Sequence, residues 1–284
     1  MAALGLSRFR QPSYDVRGRT VLVTGAGQGI GREIVRIAQG RGASVAAIDI
    51  DQSAVQTVAT ECGDQVLAIA ADVTDREAMV RAIDTSVNRF GRLDVVVANA
   101  AVLPNKATIR MMDPAEFDRV LAVNLTGVFN TVRPALGHIV DNGGHVVAVC
   151  SCAAFAPGPG YSPYFISKAG VEAFGRTLRV ELAATGASAG VAYFGVVDTA
   201  MADDLVNEEF GRGLDEMMPW PLNVRATARQ AAMSVVNGIA RRAVRTYCPA
   251  QWSQVGLVRG VANLAIDHRL STNRAVHKLI RGIE

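Results

Sequence analysis

Lysine is scarce in this chain of 284 residues: Lys106, Lys168 and Lys278 are the only three, and arginine supplies the other basic side chains. Cysteine is nearly as rare. Cys62, Cys150, Cys152 and Cys248 form no CxxC pair and show no zinc spacing, which argues against a disulfide scaffold and fits reduced thiols in a cytoplasmic protein. His138, His145, His268 and His277 share no metal-binding spacing, so no metal is expected. No apolar run approaches the ~18 residues a membrane span needs. The stretch from Met1 to Arg19 lacks a continuous apolar segment with a cleavage site behind it, so no secretory signal is expected. Repeats, low-complexity blocks and linkers are also missing. With half of its residues apolar and 19% charged, the chain reads as one ordered domain with a single large core.

The net charge of +3 hides an asymmetry. From Pro221 onward ten Lys and Arg face only Asp267 and Glu284, so the rest of the chain is net acidic. Such a tail suits a solvated face or packing against another subunit, with an anionic membrane surface as the sharper alternative. Nothing in it asks for a nucleic acid.

Residues 1–18 are polar and mixed and read as a loose arm. After them, strand and helix patterns alternate. Short β-rich apolar runs at 19–24, 43–48, 65–70, 93–98, 145–150, 189–195 and 243–248 predict seven strands. Helical periodicity fills the gaps: from Ile30 to Gly40, from Asp75 to Phe90 with Thr74 as the expected cap, and from Pro114 to Val140. Further helices are predicted from Tyr164 to Ala184 and from Ala226 to Ala240. Apolar strands separated by helices predict an α/β fold: a doubly wound, Rossmann-like parallel sheet of seven strands covered on both faces. The divisions expected are an arm at 1–17, a dinucleotide-binding catalytic domain at 18–250 and a helical extension at 251–284. Residues 199–222, ending Met217-Met218-Pro219-Trp220-Pro221, read as a flap. In the extension Trp252, Val255, Val258, Val261 and Ala265 recur at three- and four-residue steps, one stripe of a helix.

Two stretches carry chemistry. The first is Gly25-Ala26-Gly27-Gln28-Gly29-Ile30-Gly31, between a strand and a helix. Unpaired N–H groups at a helix N-terminus attract phosphate, and glycines let the backbone come close. Asp49 ends the following strand, where a carboxylate accepts hydrogen bonds from both ribose hydroxyls and repels a 2′-phosphate. NAD is therefore expected in preference to NADP. The second stretch runs from Ser151 to Lys168. Tyr164 has Lys168 four residues later, one helical turn on and on the same face, with Ser151 thirteen residues earlier. A phenol is a poor base near neutrality, its pKa being about 10, and a fixed ammonium beside it favours the phenolate. A hydroxyl from another element can hold a carbonyl or alcohol oxygen against it. Together they make a proton-transfer device. Cys150 and Cys152 flank Ser151 as small buried hydrophobes.

In order along residues 17–250, these motifs resemble the classical short-chain dehydrogenase/reductase family. Thr24-Gly25-Ala26-Gly27-Gln28-Gly29-Ile30-Gly31 is similar to the family's Thr-Gly-x-x-x-Gly-x-Gly loop. Asp72-Val73 sits where the family contacts adenine, and Ala98-Asn99-Ala100-Ala101 resembles its Asn-Asn-Ala-Gly motif. Asn124, Ser151, Tyr164 and Lys168 match its catalytic tetrad, while Val197-Asp198-Thr199 matches the region that binds the nicotinamide carboxamide. Ala101 stands where the family has Gly, and Phe194-Gly195 where it has Pro-Gly. The resemblance implies hydride exchange between NAD and a secondary alcohol or ketone. It gives Tyr164 the proton, Ser151 the orientation of the substrate oxygen, Lys168 the nicotinamide ribose and Asn124 a relay water. Phe155, Tyr161 and Phe165 near the tetrad suggest a lipophilic substrate, of steroid, terpenoid or long-chain kind. An NADPH-dependent carbonyl or 3-oxoacyl reductase is the alternative enzyme, and a non-catalytic dinucleotide sensor or scaffold the alternative of another class. Family members pair through their two long helices, so a homodimer or homotetramer is implied.

Overall fold

A computed structural model describes residues 14–202, 212, 213, 216 and 223–284, with residues 261 and 262 described by backbone alone. Most of the expected flap, including Met217 to Pro221, lies outside the described residues, as does the side chain of Val261.

The seven expected strands form one parallel sheet. They are β1 (Thr20–Thr24), β2 (Ser44–Asp49), β3 (Val66–Ala70), β4 (Val95–Ala98), β5 (His145–Ser151), β6 (Ser188–Phe194) and, after two short strands, β9 (Arg245–Cys248). The order across the sheet is β3-β2-β1-β4-β5-β6-β9. β7 (Val197–Asp198) and β8 (Ala226–Thr227) pair with each other apart from the sheet, bracketing the flap. Alternation along β1 sends Val21 and Val23 to one face and Leu22 to the other, and all three are fully buried. The first face packs Ile34 and Val35 of α1 (Gly29–Gly40), Val55 of α2 (Gln52–Cys62), and Val235 and Ile239 of α7 (Ala228–Ala240). The other packs Met79 and Ile83 of α3 (Arg76–Phe90), Val132 and Ile139 of α5 (Gly127–Asp141), and Val171 of α6 (Ser162–Glu181). Burial on both faces is why the inner strands such as β1, β4 and β5 are nearly continuously apolar, whereas the edge strand β9 carries the exposed Arg245.

The structure differs from the sequence expectations at four places. Thr74 does not cap α3. Its N–H donates to Asp72 Oδ1 at 2.8 Å in a local turn, which brings Asp75 to the cap position, where its carboxylate accepts from Ala78 N at 2.9 Å. The helix expected over 114–140 is two, α4 (Pro114–Leu121) and α5, joined by a π turn at Ala122–Thr126. The wider turn rolls Asn124 inward, where it is fully buried. The described part of the expected arm, residues 14–17, packs on the body. Tyr14 and Val16 are core residues, and the Tyr14 ring lies between the guanidinium groups of Arg19 and Arg242 at 4.0 and 4.2 Å.

The fourth difference concerns the extension, which forms α8 (Trp252–Thr272) and α9 (Arg274–Arg281). The expected stripe holds only at its start. Trp252 and Val255 pack on the core, whereas Val258 is 59% exposed and Ala265 faces solvent. What binds α8 to the body is polar: Arg259 grips the buried carboxylate of Glu172 on α6 with both guanidinium nitrogens and stacks over Phe155 at 4.8 Å. No helix among the described residues is long and apolar enough to cross a membrane.

Candidate active site

The strand order reverses direction at β1, whose neighbours are β2 and β4, and chain leaving the C-terminal ends of these strands opens a crevice there. One continuous cavity of about 1360 Å³ starts in this crevice. That exceeds the several hundred Å³ of an ordinary small-molecule pocket and leaves room for a dinucleotide and a second ligand.

At the crevice end the glycine loop is tied down on all sides. Asn99 Nδ2 donates to the carbonyls of Thr24 and Gly25 at 2.9 and 3.2 Å, and the Thr24 hydroxyl accepts from Asn99 N at 3.0 Å. Gly25 has φ +65°, in the left-handed region, and a Cβ on Gly31 would lie 1.9 Å from the Gly25 carbonyl oxygen. Gly25, Gln28, Gly29, Ile30 and Gly31 line the cavity. Asp49 does not cap α2, since Asp51 does so by accepting from Ala54 N at 3.0 Å. Instead Asp49 Oδ2 accepts from Gly27 N at 2.8 Å and Oδ1 from Asp51 N at 3.0 Å, which fixes the carboxylate at the mouth of the loop. Asp72 and Val73 line the same end, and Asn130 Nδ2 holds the Val73 carbonyl at 2.9 Å. This cradle of bare backbone, open N-terminal helix turn and fixed carboxylate fits a dinucleotide. Replacing Gly31 by Ala should push its methyl into backbone that has nowhere to go. Overpacking of this kind costs about 1–3 kcal/mol, so NADH should bind roughly tenfold more weakly in a fluorescence titration, with the melting temperature as the control for folding.

Further along, Ser151 ends β5 and Tyr164 and Lys168 stand on α6, and all three line the cavity. The Ser151 hydroxyl donates to the Phe194 carbonyl at 3.2 Å and accepts from Ala153 N at 3.1 Å. Lys168 is 2% exposed, and its ammonium donates to the Val149 carbonyl at 3.2 Å and sits 5.6 Å from the Tyr164 ring centre. Burial lowers the Lys168 ammonium to about 8. The Tyr164 phenol goes the other way. Desolvation lifts it to about 12, offset in part by the Ser151 hydroxyl, in place of the lowered phenol pKa expected from its lysine neighbour. A phenol this far from ionisation is a proton donor until something stabilises its anion. Burial also pushes the Cys150 thiol up to about 12 and raises that of Cys152, leaving neither as a nucleophile near neutrality.

Asn124 sits behind this wall and does not line the cavity. Its amide bonds both backbone groups of Val102, accepting from N at 2.7 Å and donating to O at 2.9 Å, and its second hydrogen goes to Ser167 Oγ at 3.2 Å. Val197 and Thr199 close the cavity from the β7 side, the Thr199 hydroxyl donating to the Val197 carbonyl at 3.2 Å and its methyl facing Gly29. Gly195 keeps the glycine of the family's Pro-Gly pair, Phe194 being the departure, and the glycine has a structural reason: a Cβ there would lie 2.4 Å from Trp252 Nε1. The far end of the cavity is apolar, walled by Phe155, Phe165, Trp252, Val255, Ile266 and Leu270. The expected Phe155 and Phe165 are there. Ile266, Leu270 and the nearby Arg269 and Asn273 are not readable from sequence, since nothing in α8 signals which of its sides covers Ser151.

Residues 19–209 match the family described as short chain dehydrogenase. The chain belongs to that family. The short-chain dehydrogenases most similar to it include subunit BbsD of (2S)-[(R)-hydroxy(phenyl)methyl]succinyl-CoA dehydrogenase from Thauera aromatica, 31% identical over 198 residues, spanning 68% of this chain and 79% of that protein. Another is cis-4-hydroxycyclohexanecarboxylate dehydrogenase from Sinomonas cyclohexanicum, 33% identical over 226 residues, spanning 78% of this chain and 84% of that protein. Among solved structures, a 3-ketoacyl-(acyl-carrier-protein) reductase from Brucella melitensis complexed with NADH superposes with a TM-score of 0.72 at 25% identity, covering 82% of this chain and 97% of that one. Short-chain dehydrogenases are oxidoreductases that bind a nicotinamide dinucleotide, and this chain is an oxidoreductase acting on CH–OH or keto groups.

Proposed function

We propose that this short-chain dehydrogenase exchanges a hydride between NAD and a lipophilic secondary alcohol or ketone, with Tyr164 carrying the proton. The observation behind this reading is the continuity of the cavity: one cavity is lined at once by the glycine loop, by Ser151, Tyr164 and Lys168, and by the apolar side chains Phe155, Phe165, Trp252, Val255, Ile266 and Leu270. The bound dinucleotide supplies the hydride acceptor or donor. Gly25, Gln28, Gly29, Ile30 and Gly31 would hold its pyrophosphate, Asp49 its adenosine ribose, and Asp72, Val73 and Asn99 the adenosine side. Val197, Thr199 and Lys168 would hold the nicotinamide half.

Tyr164 gives its proton to the substrate oxygen in reduction and takes it back in oxidation. Ser151 orients that oxygen through its hydroxyl. The Lys168 ammonium stabilises the phenolate left behind, and the burial of Lys168 strengthens that effect. Asn124 acts through position: its side-chain amide is committed to Val102 and Ser167, so a relay water would be held by its backbone carbonyl. Asp49 favours NAD, since a 2′-phosphate would meet its carboxylate. Exposed Phe129 on α5 with Ile166 and Val180 on α6 supports a homodimer or homotetramer built on those helices, and four free cysteines support a cytoplasmic location.

The test is a panel of secondary alcohols with NAD or NADP, followed at the NADH absorbance. Bulky apolar alcohols should show a kcat/KM at least tenfold above short polar ones with NAD. Equal rates across the panel would remove the lipophilic substrate, a preference for NADP would favour the carbonyl-reductase alternative, and no turnover at all would leave only a dinucleotide-binding protein.

A further inference from the structure

Three cationic side chains line the cavity: Arg119, Lys168 and Arg269. Two are spoken for. Arg119 donates to both carboxylate oxygens of Glu116 and to the Leu103 carbonyl at 2.7–3.0 Å, and Lys168 donates to the Val149 carbonyl. Arg269 has no acidic partner among the described residues. It stands on the last turns of α8 between Ile266 and Leu270, which belong to the apolar lining, and its exposed guanidinium shares that rim with Asn273 and Glu216. A guanidinium that lines this cavity beside apolar side chains, with no acidic partner among the described residues, marks where a ligand's charge would go.

Its mounting is firm. Arg259, ten residues earlier, is clamped on Glu172 and stacked on Phe155, which follows closely on Ser151. At the other end α9 is pinned by Glu284, whose carboxylate pairs with Arg110 at 2.8 Å and accepts from the Thr108 hydroxyl at 3.3 Å. Asn263, whose amide donates to the Phe155 carbonyl at 2.8 Å, still lies at the level of Phe155, and six residues at about 1.5 Å each set Arg269 roughly 9 Å further along the helix. The one cavity is therefore lined by the proton-transfer residues, by apolar side chains and, about two helical turns past the level of Phe155, by a cation.

Resting on the function proposed above, we infer that the substrate is an elongated amphipathic acid: a secondary hydroxyl or keto carbon at one end, an apolar body, and a carboxylate at the other that Arg269 binds. This also gives the basic tail a use that solvation alone does not. Short hydroxy acids do not reach, and neutral lipids leave the guanidinium without a partner.

The experiment compares 9-hydroxydecanoate with its methyl ester as substrates for the full chain and NAD. The acid should be preferred over the ester by about ten- to a hundredfold in kcat/KM, mostly through KM, the range a charge-assisted hydrogen bond supplies. Arg269→Gln should collapse that ratio towards one and Arg269→Lys should keep part of it. The inference falls if the wild-type ratio is near one, or if Arg269→Gln slows acid and ester alike, since the guanidinium would then be closing the cavity, for instance against Glu216. It also falls if neither compound is oxidised while neutral apolar alcohols are. Should no secondary alcohol be oxidised with either dinucleotide, the reading beneath it fails instead.

Discussion

Tyr164→Phe is expected to lose most of its turnover, by about 10²–10⁴-fold or more, while binding NADH as the wild type does. The substitution removes one oxygen and keeps the ring, so α6 and the edge-to-face contact of Tyr164 with Phe165 at 6.1 Å persist. A Phe variant that retained a tenth of the wild-type rate would remove Tyr164 from the chemistry. The pH dependence gives a second handle. Burial holds the phenol near 12, so it is protonated at neutral pH and ready to donate, which suits reduction of a ketone. Oxidation needs the anion. Its kcat/KM should therefore rise about tenfold per pH unit below the apparent pKa, and reduction should stay flat or fall over the same range. The buried Lys168, at about 8, loses its charge as pH passes that value, so the two groups titrate as a pair and the rise should shallow above it. A flat oxidation profile between pH 6 and 8 would contradict this, as chemistry would not then wait on the phenolate.

Replacing Asp49 by Ser should turn the dinucleotide preference. The carboxylate is the charged acceptor at the end of β2, and hydrogen bonds to charged groups are worth about 1.5–3 kcal/mol each. Losing them should cost NAD roughly ten- to a hundredfold in kcat/KM. NADP should gain at the same time, because its phosphate no longer meets a like charge. The NADP-to-NAD ratio is the quantity to measure, since Gly27 N also loses its 2.8 Å acceptor and the loop should bind both dinucleotides less well. A ratio unchanged from wild type would show that Asp49 acts only on the loop.

Much of this was legible before any coordinates. Alternating apolar runs dictated the buried sheet, and the glycine loop with Asp49 marked the crevice, because those positions answer to local backbone rules. Failures came where tertiary contacts outweighed local pattern. Residues 114–140 keep helical periodicity throughout, yet a side-chain bond from Asn124 to Val102, across 22 residues, accompanies one widened turn. Thr74 is as good a cap as Asp75 by residue type, and only the turn at Asp72 decides between them. The opposite shifts of Tyr164 and Lys168 are not legible in the sequence, which shows spacing but not the burial that raises one pKa and lowers the other. Arg269 was invisible for a simpler reason: its place in the cavity depends on how α8 lies over Phe155, and that is set by an ion pair to Glu172, 87 residues away.

The indole of Trp252 occupies the space a side chain at position 195 would need. Core and tail are therefore interlocked rather than modular. Grafting the final helices onto a relative that carries a larger residue at this point would wedge the two apart, so specificity cannot be transplanted with the tail alone and must travel with the strand exit beneath it.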